Sequence, residues 1–388
     1  MTNRNIFSDY GLIGDNLDVK KNIHLEIDNN GKILTIKYEE LDENEDINLS
    51  NQSSLLVPGF INSHVHIGDS FAKERGFNRD LISVVAPPNG LKHQLLAETS
   101  KDLKVKGIQK AALEMLTNGI TCFADFRENG LEGIMILNEA LKDSPIRYKI
   151  FGRFNQKNEI KSIFQLADGI GLASYKSVTS SIKEELRKSK DIFKKLIASH
   201  CAEVVRNENL IKEVINDNII DIIVHGTQLK YNDLELIKQK GLALILCPRS
   251  NGYFGVGFPP IIDILKLNIP ISLGTDNLMA NSTDLFEELR YLYRITRVLG
   301  RNLDIIKISP QDLLKMVTIN AARNLGLDME MGSILEGKNA DFFIIDLKEP
   351  NLWCKMDFDT LHTLIVQRTR PENIKKIFIK GELIFKRN

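Results

Sequence analysis

Apolar residues along this chain recur with two different periods, and the places where the period changes divide it into three stretches. Near the beginning, residues 21–27 and 32–38 are short strand-like runs joined by Asp28-Asn29-Asn30-Gly31, turn chemistry that predicts a small hairpin. The end reads the same way: residues 340–346, 374–379 and 383–385 are strand-like, with Lys380-Gly381-Glu382 as a turn between the last two. The two ends are predicted to share one sheet. Between them, short runs of β-branched residues alternate with longer segments whose apolar residues return every three or four positions, and alternation of that kind implies βαβ units with parallel strands.

Two helices are well marked. Over residues 101–118, Val105, Ile108, Ala112 and Met115 fall on one face, and Asn118-Gly119 supplies a left-handed stop before the strand at 120–126. Ser309-Pro310-Gln311-Asp312 offers a capping side chain, a proline at the first helical position and an acid in the first turn, which predicts one helix running to Leu325-Gly326. The strand candidates in the middle are 54–66, 120–126, 146–154, 167–174, 195–200, 219–225, 243–247 and 269–275. Eight parallel strands separated by helices over about 270 residues predict an α/β fold, a closed (β/α)8 TIM barrel with its active site at the C-terminal strand ends. The expected division is a composite small β-sandwich domain from residues 1–56 plus 335–388, and a barrel over 57–334.

Composition narrows the partners. A length of 388 residues suits one barrel and a smaller lobe, and 43% hydrophobic with 26% charged residues excludes a disordered or low-complexity chain. Lys+Arg and Asp+Glu balance at 51 each, which removes the positive field that non-specific binding to nucleic acid or an anionic membrane needs. A small-molecule partner is expected instead. Cysteines 122, 201, 247 and 354 are too few and scattered for a disulfide framework, so a reducing compartment is the simpler reading. Residues 1–10 show no signal-peptide pattern and no run approaches the roughly 18 apolar residues of a membrane helix, so a cytoplasmic location is expected.

Candidate chemistry sits on the strand ends. Of seven histidines, His64, His66, His200 and His225 stand at the C-terminal ends of apolar strand candidates. His64-Val65-His66 is spaced by two, which in a strand puts both imidazoles on one face, although a bare pair of this kind also arises as two solvated loop histidines. His200 follows Leu196-Ile197-Ala198-Ser199, and Asp276 follows Ile271-Ser272-Leu273-Gly274-Thr275. Three histidines and an aspartate form a nitrogen and oxygen donor set with an open position for water, suited to a catalytic Zn²⁺ or Fe²⁺ rather than a closed structural site.

Taken together, Val57-Pro58-Gly59-Phe60-Ile61-Asn62-Ser63-His64-Val65-His66, His200-Cys201-Ala202-Glu203, His225-Gly226, Cys247-Pro248-Arg249-Ser250-Asn251, Gly274-Thr275-Asp276 and the stretch from Gly332 to Asp341 resemble the amidohydrolase superfamily, in particular its aminohydrolase and chlorohydrolase branch. The resemblance covers nearly the whole chain. It implies that His64, His66, His200 and Asp276 hold one divalent metal ion, zinc in preference to iron, with Asp276 also accepting a proton from water. It places Glu203 where deaminating members keep their proton shuttle, and His225 as a donor that orients the attacking oxygen or steadies the tetrahedral intermediate. Each residue has a plainer alternative: Glu203 as an exposed acid in a first helical turn, His225 as a hydrogen-bonded core residue, Asp276 as a loop cap. Cys201 and Cys247 lie beside the site and read as small buried hydrophobes.

The match has one departure. Many nucleoside-type members end the fourth strand in a substrate-contacting histidine followed by proline-tyrosine, whereas this chain reads Gly171-Leu172-Ala173-Ser174-Tyr175-Lys176, which points away from a nucleoside substrate. Lys176, the nearest candidate for the carbamylated lysine of binuclear members, lies past the apolar run and is expected to be solvated. The segment 68–93 reads as a long loop over the barrel mouth, with His93 and Arg75 as open substrate contacts. Arg153, at the end of the third strand, is the better candidate, able to pair with a carboxylate or phosphate. Neither a complete dinucleotide fingerprint nor a phosphate loop is present.

The expected function is hydrolytic deamination of an aminated nitrogen heterocycle, of purine, pyrimidine, pterin or triazine type. Hydrolysis of a cyclic amide or a chloro-substituted heterocycle is the alternative within the enzymes, and a non-catalytic barrel serving as an interaction protein the alternative outside them. Many members of the resembling group are dimers or larger, so a homo-oligomer stays open, with no interface legible in the pattern.

Overall fold

Alternating exposed and buried positions in β1 (Arg4–Ile13) mark a strand that lies against the hairpin of β2 (Asp18–Ile27) and β3 (Ile33–Glu39). The computed structural model describes residues 3–40, 53–301, 308–355 and 358–387. The predicted hairpin turn is closed by Asp28, whose Oδ1 accepts hydrogen bonds from the backbone of Asn30 and Lys32, both at 2.8 Å. The sequence pattern missed β1, whose outer half is polar enough to read as coil.

The predicted strand at 54–66 is two strands. β4 (Ser54–Pro58) joins the terminal sheet and β5 (Phe60–His66) joins the parallel one, with Gly59 between them. The chain passes so close to the next strand there that a Cβ on Gly59 would fall 2.2 Å from Thr121 Oγ1.

The parallel strands follow in chain order: β6 (Ile120–Arg127), β7 (Arg147–Gly152), β8 (Gly169–Leu172), β9 (Leu196–Cys201), β10 (Ile222–His225), β11 (Ala243–Leu246), β12 (Ile271–Leu273) and β13 (Asp276–Asn277). From β5 to β12 each strand pairs with the next, and β13, which continues β12 after Gly274-Thr275, pairs in parallel with Val65 and His66 of β5. The sheet therefore returns to its first strand, as a TIM barrel requires. Two hydrogen bonds pin this junction, Asn62 Nδ2 to Thr275 Oγ1 at 2.7 Å and Thr275 N to Asn62 Oδ1 at 3.0 Å.

After the barrel, β14 (Phe342–Asp346), β15 (Ile374–Ile379) and β16 (Glu382–Lys386) return to the strands of the other end, giving a seven-stranded sheet in the order β16-β15-β14-β4-β1-β2-β3. Both ends of the chain thus share one sheet, as the turn and strand pattern predicts. Phe60 of β5 packs edge-on against Phe286 and Phe343, at ring separations of 4.9 and 5.1 Å, and so joins barrel, helix and terminal sheet in one core.

Two further expectations change on contact with the structure. The single helix predicted from Ser309 is a pair, Pro310–Lys315 and Ile319–Asn324, capped at its start by Ser309 as expected. It breaks where the carbonyls of Met316 and Val317 turn aside to accept from the backbone N–H groups of Leu273 and Ile61, at 3.2 and 2.8 Å. The segment 68–93 is no open loop either. It folds as a 3-10 turn (Ile67–Ala72), a short helix (Leu81–Val85) and the start of another (Leu91–Glu98), with Ala72, Leu81 and Val84 packed against Phe254, Met279 and Ala280. Among the described residues, no helix is long and apolar enough to cross a membrane.

Candidate metal centre and active site

Parallel strands present their last residues to the barrel mouth, and four of those exits carry the chemistry. His64 and His66 leave β5, His200 leaves β9, His225 ends β10 and Asp276 opens β13. One donor atom from each of His64, His200, His225 and Asp276 falls within 4.8 Å of the others. His66 stands beside this set, its ring centre 5.5 Å from that of His200 and its Nε2 3.6 Å from Asp276 Oδ1. His64 Nε2 is 3.2 Å from the same carboxylate oxygen, while its buried Nδ1 has no hydrogen-bond partner among the described residues.

The rings are aimed by the backbone. Nδ1 of His66 is hydrogen-bonded to the Phe126 carbonyl and Nδ1 of His200 to that of Leu172, both at 2.9 Å, so each ring turns its Nε2 inward. His225 and Asp276 sit at φ of 72° and 62°, and Ala202, just before Glu203, at 51°. Left-handed backbone at non-glycine positions is uncommon and is held here after β9, at the end of β10 and after β12, where it bends side chains into the mouth.

Electrostatics suit a cation. Burial, reinforced for His66 by Lys92, depresses the imidazoles: His66 to about 3, His225 to about 4, and His200 well below its usual value. The rings are neutral at physiological pH, the form in which imidazole ligates. Burial disfavours ionisation of Asp276, but hydrogen bonding with His64 and the surrounding imidazoles outweigh it and hold the carboxyl well below the usual carboxylate range. Ser250 Oγ donates to its Oδ2. Neutral imidazoles around an ionised carboxylate, with a buried nitrogen lacking a partner, fit a divalent ion.

Glu203 behaves oppositely. Its side chain is 16% exposed, with Oε1 3.5 Å from His225 Nε2. Burial, with the Asp276 charge adding to it, pushes the Glu203 carboxyl well above its usual value, which favours its protonated form. Cys201 and Cys247 are buried free thiols pushed up by burial, Cys201 to about 12, and are not thiolates. Arg153 is half-buried, and its Nε has no hydrogen-bond partner among the described residues. Lys176 and Arg75 are exposed, and His93 turns to the Val85 carbonyl within its own segment.

Several residues at the mouth escaped sequence reasoning. Asn251 Nδ2 lies 3.3 Å from His225 Nδ1. Asp69, Lys92, Asp125, Arg127 and Glu128 form a buried charged cluster next to His66. The one signal for it was the run Asp125-Phe126-Arg127-Glu128, charge gathering where an apolar strand ends.

The amidohydrolase family pattern matches residues 55–384. The chain belongs to this family. Membership makes it a hydrolase acting on carbon–nitrogen bonds other than peptide bonds. This amidohydrolase is 33% identical over 385 residues to a putative aminohydrolase of Methanothermobacter thermautotrophicus, covering 94% of each chain. It is 25% identical over 390 residues to a 5-methylthioadenosine/S-adenosylhomocysteine deaminase of Caldanaerobacter subterraneus, covering 88% of this chain and 84% of the relative. An adenosine deaminase from Xanthomonas campestris solved with bound zinc shares the fold at a TM-score of 0.79 and 18% identity, over 98% of this chain and 92% of that one.

Proposed function

We propose that this amidohydrolase is a metal-dependent aminohydrolase that deaminates an aminated nitrogen heterocycle, a small molecule of purine, pyrimidine, pterin or triazine type. The observation that carries the reading is a half-buried carboxyl, Glu203, pushed well above its usual value and facing His225 beside the imidazole and carboxylate donors. In this reading His64, His66, His200 and Asp276 hold one divalent ion, zinc in preference to iron. A bound ion of this kind acidifies water toward neutral pH and polarises the carbon under attack.

The protein's own groups account for the rest. Asp276, kept ionised, accepts the proton that water gives up. Glu203 donates its proton to the ring nitrogen as the carbon–oxygen bond forms, takes the remaining proton from the hydroxyl on the tetrahedral carbon and passes it to the exocyclic nitrogen, and is restored by the proton held on Asp276. The carbon–nitrogen bond breaks and ammonia leaves. His225, braced by Asn251, steadies the oxygen on the tetrahedral carbon. Arg153, with its unpartnered Nε, is read as a contact for an anionic substituent. Residues 57–334 form the barrel in this reading, and 1–56 with 335–388 the small β-sandwich domain.

The relatives named as aminohydrolase and deaminase support the reaction class. Ammonia release, assayed across aminated purines, pyrimidines, pterins and triazines with the metal-loaded enzyme, tests it. Turnover with ammonia is expected from at least one class, and hydrolysis without ammonia from all four would overturn deamination.

A further inference from the structure

Nδ1 of His66 has two acceptors. The Phe126 carbonyl lies along its N–H at 2.9 Å, and Oε1 of Glu128 lies off that line at 2.7 Å from the same nitrogen. Glu128 is 1% exposed, just beyond the end of β6. Its other oxygen accepts from Arg127 Nη2 at 3.1 Å, and Oε1 also meets the ammonium of Lys92. Arg127 reaches this place because residue 68 is glycine, since a Cβ there would fall 1.6 Å from Nη2.

Lys92 comes from the segment over the mouth, in the first turn of helix Leu91–Glu98, and is 3% exposed. Besides Glu128 it touches Asn277 Oδ1 at 2.9 Å, next in sequence to Asp276, and Asp69 Oδ2 at 3.4 Å. Its ammonium thus joins the exits of β5, β6 and β13 to the covering segment. Buried ion pairs of this kind contribute little stability beyond what apolar packing would give, so their placement calls for another reason. Oε1 of Glu128 is shared between the Lys92 ammonium and Nδ1 of His66, so the charge that Lys92 holds in place lies against the imidazole.

We propose that Glu128 is a positioning residue for His66, holding the proton on Nδ1 so that Nε2 faces the metal centre, and that Lys92 holds Glu128 there from the covering segment. The inference rests on the reading of His66 as a metal ligand. A carboxylate behind a ligating imidazole fixes the tautomer and ring rotation and raises the basicity of the inward nitrogen. Because Lys92 also grips Asn277, docking of the covering segment and the geometry of two ligand-bearing strands become one arrangement.

The test uses the zinc-loaded full chain, titrated with a chelator, and the visible spectrum of the cobalt-substituted protein, with circular dichroism as the control for folding. Glu128→Gln is expected to weaken zinc binding by about 10- to 100-fold and to alter the cobalt spectrum in a folded protein. Glu128→Asp keeps the charge that Lys92 and Arg127 require but withdraws it from His66, so it should fold if Glu128→Gln does not, and should also lose zinc affinity. Lys92→Met is expected to weaken zinc binding by less than Glu128→Gln. His66→Ala that keeps its zinc would overturn the ligand reading itself. If His66→Ala loses zinc while both Glu128 variants keep wild-type affinity and spectrum, the Phe126 carbonyl suffices and the positioning role is wrong. Wild-type affinity in Lys92→Met alone removes the lysine from the proposal.

Discussion

Oε1 of Glu203 and Nε2 of His225 stand 3.5 Å apart across the barrel mouth, a carboxyl that burial pushes well above its usual value facing a neutral imidazole. The contact sets two groups able to handle a proton side by side at the mouth. Glu203→Gln keeps the volume and removes the transferable proton. It is expected to lower kcat by about 10²- to 10⁴-fold while bound metal, measured on the same preparation, stays at the wild-type level. Loss of metal along with activity would show that Glu203 supports the centre instead of working the reaction.

His64 makes the sharpest test of the donor set, because it meets Asp276 through Nε2 and leaves Nδ1 buried without a partner. Protein purified without chelator is expected to carry about one equivalent of zinc or iron per chain. His64→Ala should carry far less, by elemental analysis. Wild-type metal content in that variant would place the ion elsewhere.

Gly274 lets the last barrel strand close on the first. A Cβ there would fall 2.6 Å from both the Cβ and the carbonyl oxygen of His64 and 2.7 Å from its nitrogen, backbone that has no room to move aside. Gly274→Ala is therefore expected to lower the thermal midpoint and the metal content together, by displacing β5 where it carries a ligand. A variant with a lowered midpoint and full metal content would separate barrel closure from the site.

What the sequence made legible were residues whose role is local. His64, His66, His200, His225 and Asp276 each end a run of apolar residues, and polar groups in those places stand out without any knowledge of their partners. Lys92 does not, and although Glu128 also follows an apolar strand, nothing near either in sequence announces that the two meet inside the protein. The break after Lys315 was hidden for a related reason: a good start signal says nothing about Leu273 and Ile61, whose N–H groups claim the carbonyls of Met316 and Val317. Gly59 looked like an interior residue of one long strand, and only the closeness of Thr121 shows that the chain changes sheets there.

Glu288 links the same barrel to pH. Its carboxyl is fully buried on helix Leu285–Leu299, 3.6 Å from Arg249 Nη1, and burial, opposed by Arg249 and aided by the Asp276 and Asp284 charges, raises it from 4.5 to about 8. Between those two values the folded protein keeps a proton that the unfolded chain has released, so folding binds protons and stability falls as pH rises. The contribution is whole below about pH 4.5 and is lost as pH climbs through about 8. Asp69 and Asp125, raised by burial to about 7 and about 6, bend the profile the same way, so the wild-type curve alone does not isolate Glu288. Glu288→Gln does, because it keeps the shape and cannot ionise. Thermal midpoints of variant and wild type should run together at low pH and diverge upward from about pH 4.5, the variant being the more stable at pH 8. Parallel curves across that range would mean that Glu288 ionises in the folded protein as readily as in the unfolded chain, with Arg249 compensating its burial in full.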